Sequence, residues 1–196
     1  MNFLAHAFLS GDDPELLAGN FMGDFIKGRQ YENFPSGIAK GVVLHREIDF
    51  FTDNHDVVEK SKARLRKRFG LYSAVIVDIF YDHFLNANWD RYSDQDKGEF
   101  IHSVYDTVDR FFDLAPPRFQ AMFSNMKSRD WLSNYGLIEG VERSLAGMSK
   151  RSKFKPQLER AVEELELHYR AYDDDFNRFF PDVVRFVRDY LGNGEK

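Results

Sequence analysis

The stretch AVIVDIFYDHFL, residues 74–85, restricts the fold more than any other part of the chain. Val, Ile, Phe, Tyr and Leu fill nearly every position, so a helix here is apolar on almost all sides and has to be buried. Yet Asp78, Asp82 and His83 stand in its middle. A carboxylate withdrawn from water stays ionised only beside a cation, strong hydrogen-bond donors or a metal ion. The fold must therefore bring neutralising groups to this segment from distant parts of the sequence.

The remaining sequence also reads at helical period, with Gly, Pro and polar clusters as punctuation and no alternating segments joined by hairpin turns. The expected architecture is all-α, a compact helical bundle forming a single domain over residues 1–196. A short helix from about Asn2 precedes one opened by Asp12 or Asp13 with Pro14 and running to about Gly28. Ser36 starts the next, through Asn54, and HDVVEKSKARLRKRF gives a basic amphipathic helix ending at Gly70. The apolar helix then spans about Tyr72 to Asn88. Further helices are expected from Ser93 to about Asp113, from Arg118, after Pro116 and Pro117, to about Leu132, and over 137–149. A long last one should begin near Lys155 and kink or break at Pro181.

The longest apolar run is interrupted by Asp78, well short of the roughly 18–20 residues of a membrane helix. The opening MNFLAHAFLS lacks the basic start and length of a secretory signal. The expected compartment is the cytoplasm, with no membrane partner. The absence of Cys excludes disulfides, thiol catalysis and thiolate metal sites, so any metal has to be held by His, Asp or Glu. A net charge of −5 argues against nucleic acid as a partner. Local charge differs: Lys60, Lys62, Arg64, Arg66, Lys67 and Arg68 form one basic run, and Lys150, Arg151, Lys153 and Lys155 a second. Each is either a solvated helix face or a docking surface for an acidic macromolecule.

Within apolar surroundings, polar residues recur four apart: Asn2 and His6, Asn20 and Asp24, His45 and Asp49, Asp78 and Asp82. Residues at that spacing project from one helical face, the arrangement by which two side chains reach one ion or one substrate group. Any one of these could be an ordinary core polar residue, with Arg46 as a ready partner for a neighbouring acid. For His6, Asp24, His45, Asp49, Asp78, Asp82 and His83 together, separate partners for four buried acids are hard to find among so few nearby cations. A shared divalent metal satisfies them at once. Imidazole and carboxylate ligands favour Mn²⁺, Mg²⁺ or Fe²⁺, with Zn²⁺ less expected. His55 is expected to cap a helix, and His102 and His168 to lie at the surface.

The blocks MNFLAHAFLS, GNFMGDF, HREIDFFTDNH and DIFYDHFLNANW, followed by PPRF at 116–119, WL at 131–132 and LAGMSKR at 145–151, resemble acyl carrier protein phosphodiesterase, also called holo-acyl carrier protein hydrolase. The resemblance implies a divergent, all-helical branch of the HD phosphohydrolase superfamily that depends on a divalent ion, usually Mn²⁺. It also implies holo-acyl carrier protein as macromolecular substrate, with 4′-phosphopantetheine removed from its serine. Matched block by block, the implied metal ligands are Asp24, His45, Asp49, Asp78, Asp82 and His83, and the implied catalytic groups His6, Asp24, His83 and Arg46. Arg46 or Arg118 is the expected phosphate clamp. The adjacent His-Asp doublet of ordinary HD enzymes is missing: the only such neighbours, Asp82 and His83, stand in reverse order. The alternatives are a metal phosphohydrolase acting on nucleotides or small phosphodiesters, and a non-catalytic helical binding module.

Overall fold

The computed structural model of the chain describes residues 1–154 and 156–193. Helix α1 (Phe3–Leu9) leads into α2 (Pro14–Phe21), whose start follows from chemistry: the Asp13 carboxylate accepts from the Glu15 and Leu16 amides, and Pro14 needs no donor partner. Two 3₁₀ turns, at Gly23–Phe25 and Gln30–Asn33, carry the chain to α3 (Ser36–Asp53). His55 caps α4 (Asp56–Phe69) by accepting from the Val57 amide, and Gly70, at φ 54°, ends it in a backbone region that other residues avoid. The apolar segment becomes α5 (Ser73–Ala87), followed by α6 (Lys97–Arg110), α7 (Pro117–Ser128) and the single turn α8 (Trp131–Asn134). The chain then forms α9 (Ile138–Arg151), α10 (Ala161–Leu167) and α11 (Tyr169–Asn193). Among the described residues there is no strand. No described helix is long and apolar enough to cross a membrane.

Helix α5 is the central rod. Eleven of its fifteen residues are buried, and α1, α4, α9 and α11 pack around it. On one side it meets α11, where Tyr172, Phe176, Phe179, Phe180 and Val183 form a buried stripe at helical spacing. Phe80 meets Tyr172 edge-on, and Tyr81 meets Phe176 in the same way. Helices α2 and α3 cross with almost no side chain between them: a Cβ on Gly19 would overlap the Ile38 carbonyl, and one on Gly41 the Leu16 carbonyl. That close crossing sets the distance between the residues of α2 and α3 that build the site.

Helix boundaries differ from expectation at several places: α6 begins at Lys97 instead of Ser93, and the helix expected to reach about Leu132 ends at Ser128, because Asp130 at φ 45° interrupts it before α8. Helix α2 stops at Phe21 instead of about Gly28, because the amides of Phe25 and Ile26 bond three residues back and tighten the chain into a 3₁₀ turn. The last helix begins at Ala161, breaks at His168, and then runs through Pro181 without interruption. A mid-helix proline costs about 3 kcal/mol. The buried Phe179, Phe180 and Val183 beside it contribute roughly 1.5–3 kcal/mol each, which outweighs that cost. Lys155, where this helix was expected to begin, lies outside the described residues.

Candidate metal centre

One residue orients two histidines. The Asn20 side-chain nitrogen donates to the His6 carbonyl at 2.9 Å and to Ser10 Oγ at 2.9 Å, which fixes its Oδ1 as an acceptor. His6 Nδ1 donates to that Oδ1 at 2.7 Å, and His45 Nδ1 donates to the Asn20 backbone carbonyl at 2.8 Å. Both rings therefore carry their hydrogen on Nδ1 and turn Nε2 the other way, the second-layer arrangement that prepares imidazole to bind a metal. The rings stack with centroids 4.0 Å apart. Across from them is Asp49, one turn beyond His45 on α3, with His45 Nε2 3.1 Å from Oδ2 and His6 Nε2 3.3 Å from Oδ1. Asp24, in the turn after α2, reaches His45 Nε2 at 3.3 Å.

The result is a group of His6, His45 and Asp49 whose ligand atoms lie within 4.8 Å of one another. His6 Nε2 is buried with no hydrogen-bond partner, an expensive state unless a cation takes its lone pair. Two nitrogens and a carboxylate, with Asp24 beside them, fit a divalent ion of the Mn²⁺ to Zn²⁺ series. The Asp24 side chain is 70% exposed and that of Asp49 36% exposed, so the group opens to solvent on the Asp24 side.

The buried acids of α5 are neutralised separately. Asp78 Oδ1 lies 3.1 Å from the Met1 α-amino nitrogen, which is also 3.2 Å from Asp49 Oδ1, so Asp78 adjoins the cluster through that shared amine. Burial pulls the amine pKa down, but Asp78 and Asp49 more than offset this and raise it to about 11. Asp82 accepts from the Leu4 and Ala5 amides at 2.8 and 3.1 Å and thereby holds the start of α1, the helix that carries His6. Burial pushes its pKa up to about 7. His83 lies with Nδ1 2.8 Å from the Tyr135 carbonyl and Nε2 2.9 Å from the Tyr169 hydroxyl.

The expected set is therefore only partly brought together. Asp24, His45 and Asp49 converge, His6 joins them as a donor atom, and Asp78 stands one contact away. Asp82 and His83 make no hydrogen bond or ion pair to the group among the described residues, because their polar atoms are engaged by α1, Tyr135 and Tyr169. Arg46 donates to the Ile26 carbonyl at 2.9 Å and lies over the Tyr31 ring, bracing the segment after Asp24. Arg118 is exposed at the start of α7, whose Phe119 packs edge-on against Phe25. In the first basic run, Lys62, Arg64, Arg66 and Arg68 pair with Asp53, Asp175, Glu59 and the Glu163/Glu164 pair. The role of Asn20 was not legible from its type. Its position four before Asp24 was a signal, but the α2–α3 crossing is what makes it the shared anchor.

Protonation couples to metal uptake. Burial lowers the His45 pKa, but bonds to Asp24 and Asp49 outweigh it and raise the value to about 9. Burial, helped by the charge of His45, lowers His6 to about 4. Without metal at pH 7, His45 is charged and His6 is neutral, so ion binding should release about one proton, not two. Calorimetric titration with Mn²⁺ in buffers of different ionisation enthalpy measures that number, and the apparent affinity should climb as pH rises toward 9. The stability of the chelated protein should move the other way. A raised histidine pKa contributes fully below 6.5 and is lost as pH rises through about 9. Proton release near zero at pH 7 would contradict the arrangement.

Comparison with known proteins gives a consistent answer. Residues 1–183 match the family described as acyl carrier protein phosphodiesterase. The chain belongs to the acyl carrier protein phosphodiesterase family. Relatives of that name from Klebsiella pneumoniae (strain 342) and Enterobacter sp. (strain 638) are each 31% identical to it, over 95% and 94% of this chain and 97% and 96% of their own lengths. A third, from Escherichia coli O157:H7 (strain EC4115 / EHEC), is 31% identical over 94% of this chain and 96% of its own. No solved structure matches. His6, Asp24, His45 and Asp49 all fall inside the span matched to the acyl carrier protein phosphodiesterase family.

Proposed function

We propose that this chain, acting as one domain over residues 1–196 in the cytoplasm, is a metal-dependent phosphodiesterase. It removes 4′-phosphopantetheine from the serine of holo-acyl carrier protein, leaving the apo form. Mn²⁺ is the proposed ion, with Mg²⁺ or Fe²⁺ able to replace it. The observation that carries the reading is the pair of imidazoles turned by Asn20 so that both Nε2 atoms face Asp49.

His6, His45 and Asp49 are the residues that would hold the ion. Bound there, a divalent ion supplies charge to neutralise the phosphoryl oxygens and acidifies a water for attack. Asp24 accepts the proton of the attacking water. Its bond to His45 holds its carboxyl below the usual range, and that restraint ends once the His45 proton has left. Asp49 balances His45 and the Met1 amine, so it stays ionised throughout: burial alone would raise its pKa, but the bond from His45 and the charge of the Met1 amine bring it far below the usual range. Arg46, beside the Asp24 turn, is the proposed phosphate clamp. His6 spends its Nδ1 hydrogen on Asn20 and His83 is engaged elsewhere, so neither is the acid for the departing serine oxygen. Water at the open Asp24 face is left to provide that proton.

The test is to incubate holo-acyl carrier protein with the protein and Mn²⁺ and to follow the carrier by intact mass. The expected result is the loss of one phosphopantetheine mass, abolished by chelation and restored by metal. Hydrolysis of nucleotides or small phosphodiesters at comparable efficiency, with the carrier left intact, would replace this reading by the general phosphohydrolase. A protein that purifies without metal and binds none would replace it by a binding module.

A further inference from the structure

The two basic runs of the sequence meet on one face of the fold. The Tyr72 hydroxyl, just after α4, lies 2.8 Å from Ser152 Oγ, just after α9. On one side of this link is Leu71, 98% exposed, and two residues beyond the other side is Phe154, 79% exposed. Isolated apolar residues are ordinary on a surface, but two large ones flanking a single bond between the segments after α4 and α9 offer apolar anchors to a partner.

The charge around that patch is selective. Lys62, Arg64, Arg66 and Arg68 are balanced by acids of this chain. Lys67, Lys150, Arg151 and Lys153 are exposed and have no ion pair among the described residues. All four fall within five residues of Tyr72 or Ser152 along the chain. A protein of net charge −5 thus gathers uncompensated positive charge around its exposed apolar pair. Such a face attracts an acidic protein surface with apolar contacts of its own, and repels a basic one.

The face also adjoins the metal centre. A surface groove of about 370 Å³, whose lining includes Glu59, Lys62, Arg66, Leu71, Ser73 and Ala74, reaches Leu71. Ala74 is one turn from Asp78 on α5, and Asp78 shares the Met1 amine with Asp49. From Leu71 to Asp78 is about two helical turns, or ~11 Å, less than the width of a small protein domain. A macromolecule seated on the face therefore lies within about two helical turns of Asp78, the acid that adjoins the cluster through the Met1 amine.

We propose that Leu71 and Phe154, ringed by Lys67, Lys150, Arg151 and Lys153, form the docking face for the acidic carrier protein whose phosphodiester the metal centre cleaves. This rests on the function proposed above and says where that substrate binds. The experiment compares wild type, the Leu71→Asp/Phe154→Asp double variant and the Lys150→Glu/Arg151→Glu/Lys153→Glu triple variant, each loaded with Mn²⁺ and assayed on holo-acyl carrier protein. Both variants should raise KM at least tenfold while kcat, bound metal and thermal midpoint stay near wild type. Raising the salt concentration should increase the wild-type KM and leave that of the triple variant nearly flat. Because the apolar and charge variants are independent, misfolding of one leaves the other as the test. If wild type cleaves the carrier and a folded variant shows an unchanged KM, the docking face is wrong and the function stands. If wild type does not cleave the carrier, both fall.

Discussion

Replacing Asp49 by Asn should reduce cleavage of holo-acyl carrier protein by about a thousandfold or more and leave the purified protein without bound Mn²⁺. The size follows from the position of this carboxylate, which meets His45 at 3.1 Å, His6 at 3.3 Å and the Met1 amine at 3.2 Å. An amide has the same shape but no charge, so three positive or metal-seeking groups lose their common counter-ion. A thousandfold loss corresponds to about 4 kcal/mol of transition-state stabilisation, within the range for removing one central electrostatic element of a site. Elemental analysis of the purified variant and intact-mass assay of the carrier give the two readouts. His83→Gln is the contrasting case: its ring bonds Tyr135 and Tyr169, so the variant should keep its metal. If Asp49→Asn retained metal and turnover, or if His83→Gln lost both, the ligand set argued from geometry would be wrong.

That contrast also shows where sequence reading stops. The α3 pair was legible because spacing of four inside one uninterrupted helix fixes relative direction, and His45 and Asp49 do share an ion-pair distance. The same spacing in Asn20 and Asp24 pointed to the right place for a different reason. Helix α2 ends at Phe21, so these two do not share a face, yet they grip opposite nitrogens of the same His45 ring. For Asp78 and Asp82 the spacing was real but the partners were hidden. A chain terminus neutralises one and the first amides of α1 the other, and neither is visible as a side chain in the sequence. The need for compensation was thus legible from composition, whereas its source was a matter of tertiary packing. The basic run of α4 makes the same point in part: Arg64 and Arg68 pair with acids about a hundred residues away, at Asp175 and at Glu163 and Glu164, while Lys62 and Arg66 meet the nearby Asp53 and Glu59.

Replacing Gly23 by Ala should disable the metal centre without altering any group that touches metal or substrate. Gly23 lies in the 3₁₀ turn between α2 and Asp24, and its backbone is in a region open to alanine, so the change introduces no backbone strain. Its effect is steric: a Cβ there would stand 2.6 Å from His45 Cβ and 2.8 Å from Cδ2. His45 cannot yield easily, because its Nδ1 is committed to the Asn20 carbonyl and its ring is stacked on His6. Either the ring moves, breaking the bond that aims Nε2, or the turn moves and takes Asp24 with it. Disturbing the support of a metal-binding histidine lowers affinity by roughly 10–100-fold, and overpacking costs about 1–3 kcal/mol of stability. A Mn²⁺ titration should therefore show weaker binding, with activity recovering in part at high metal concentration. Gly28→Ala supplies the comparison: at φ 53° it pays a backbone cost but meets no atom within 4 Å, so some stability is lost while Mn²⁺ affinity is unchanged. Wild-type metal affinity in Gly23→Ala would mean that the His45 ring is not held as tightly as these contacts require, and with it the preorganised centre would lose its physical basis.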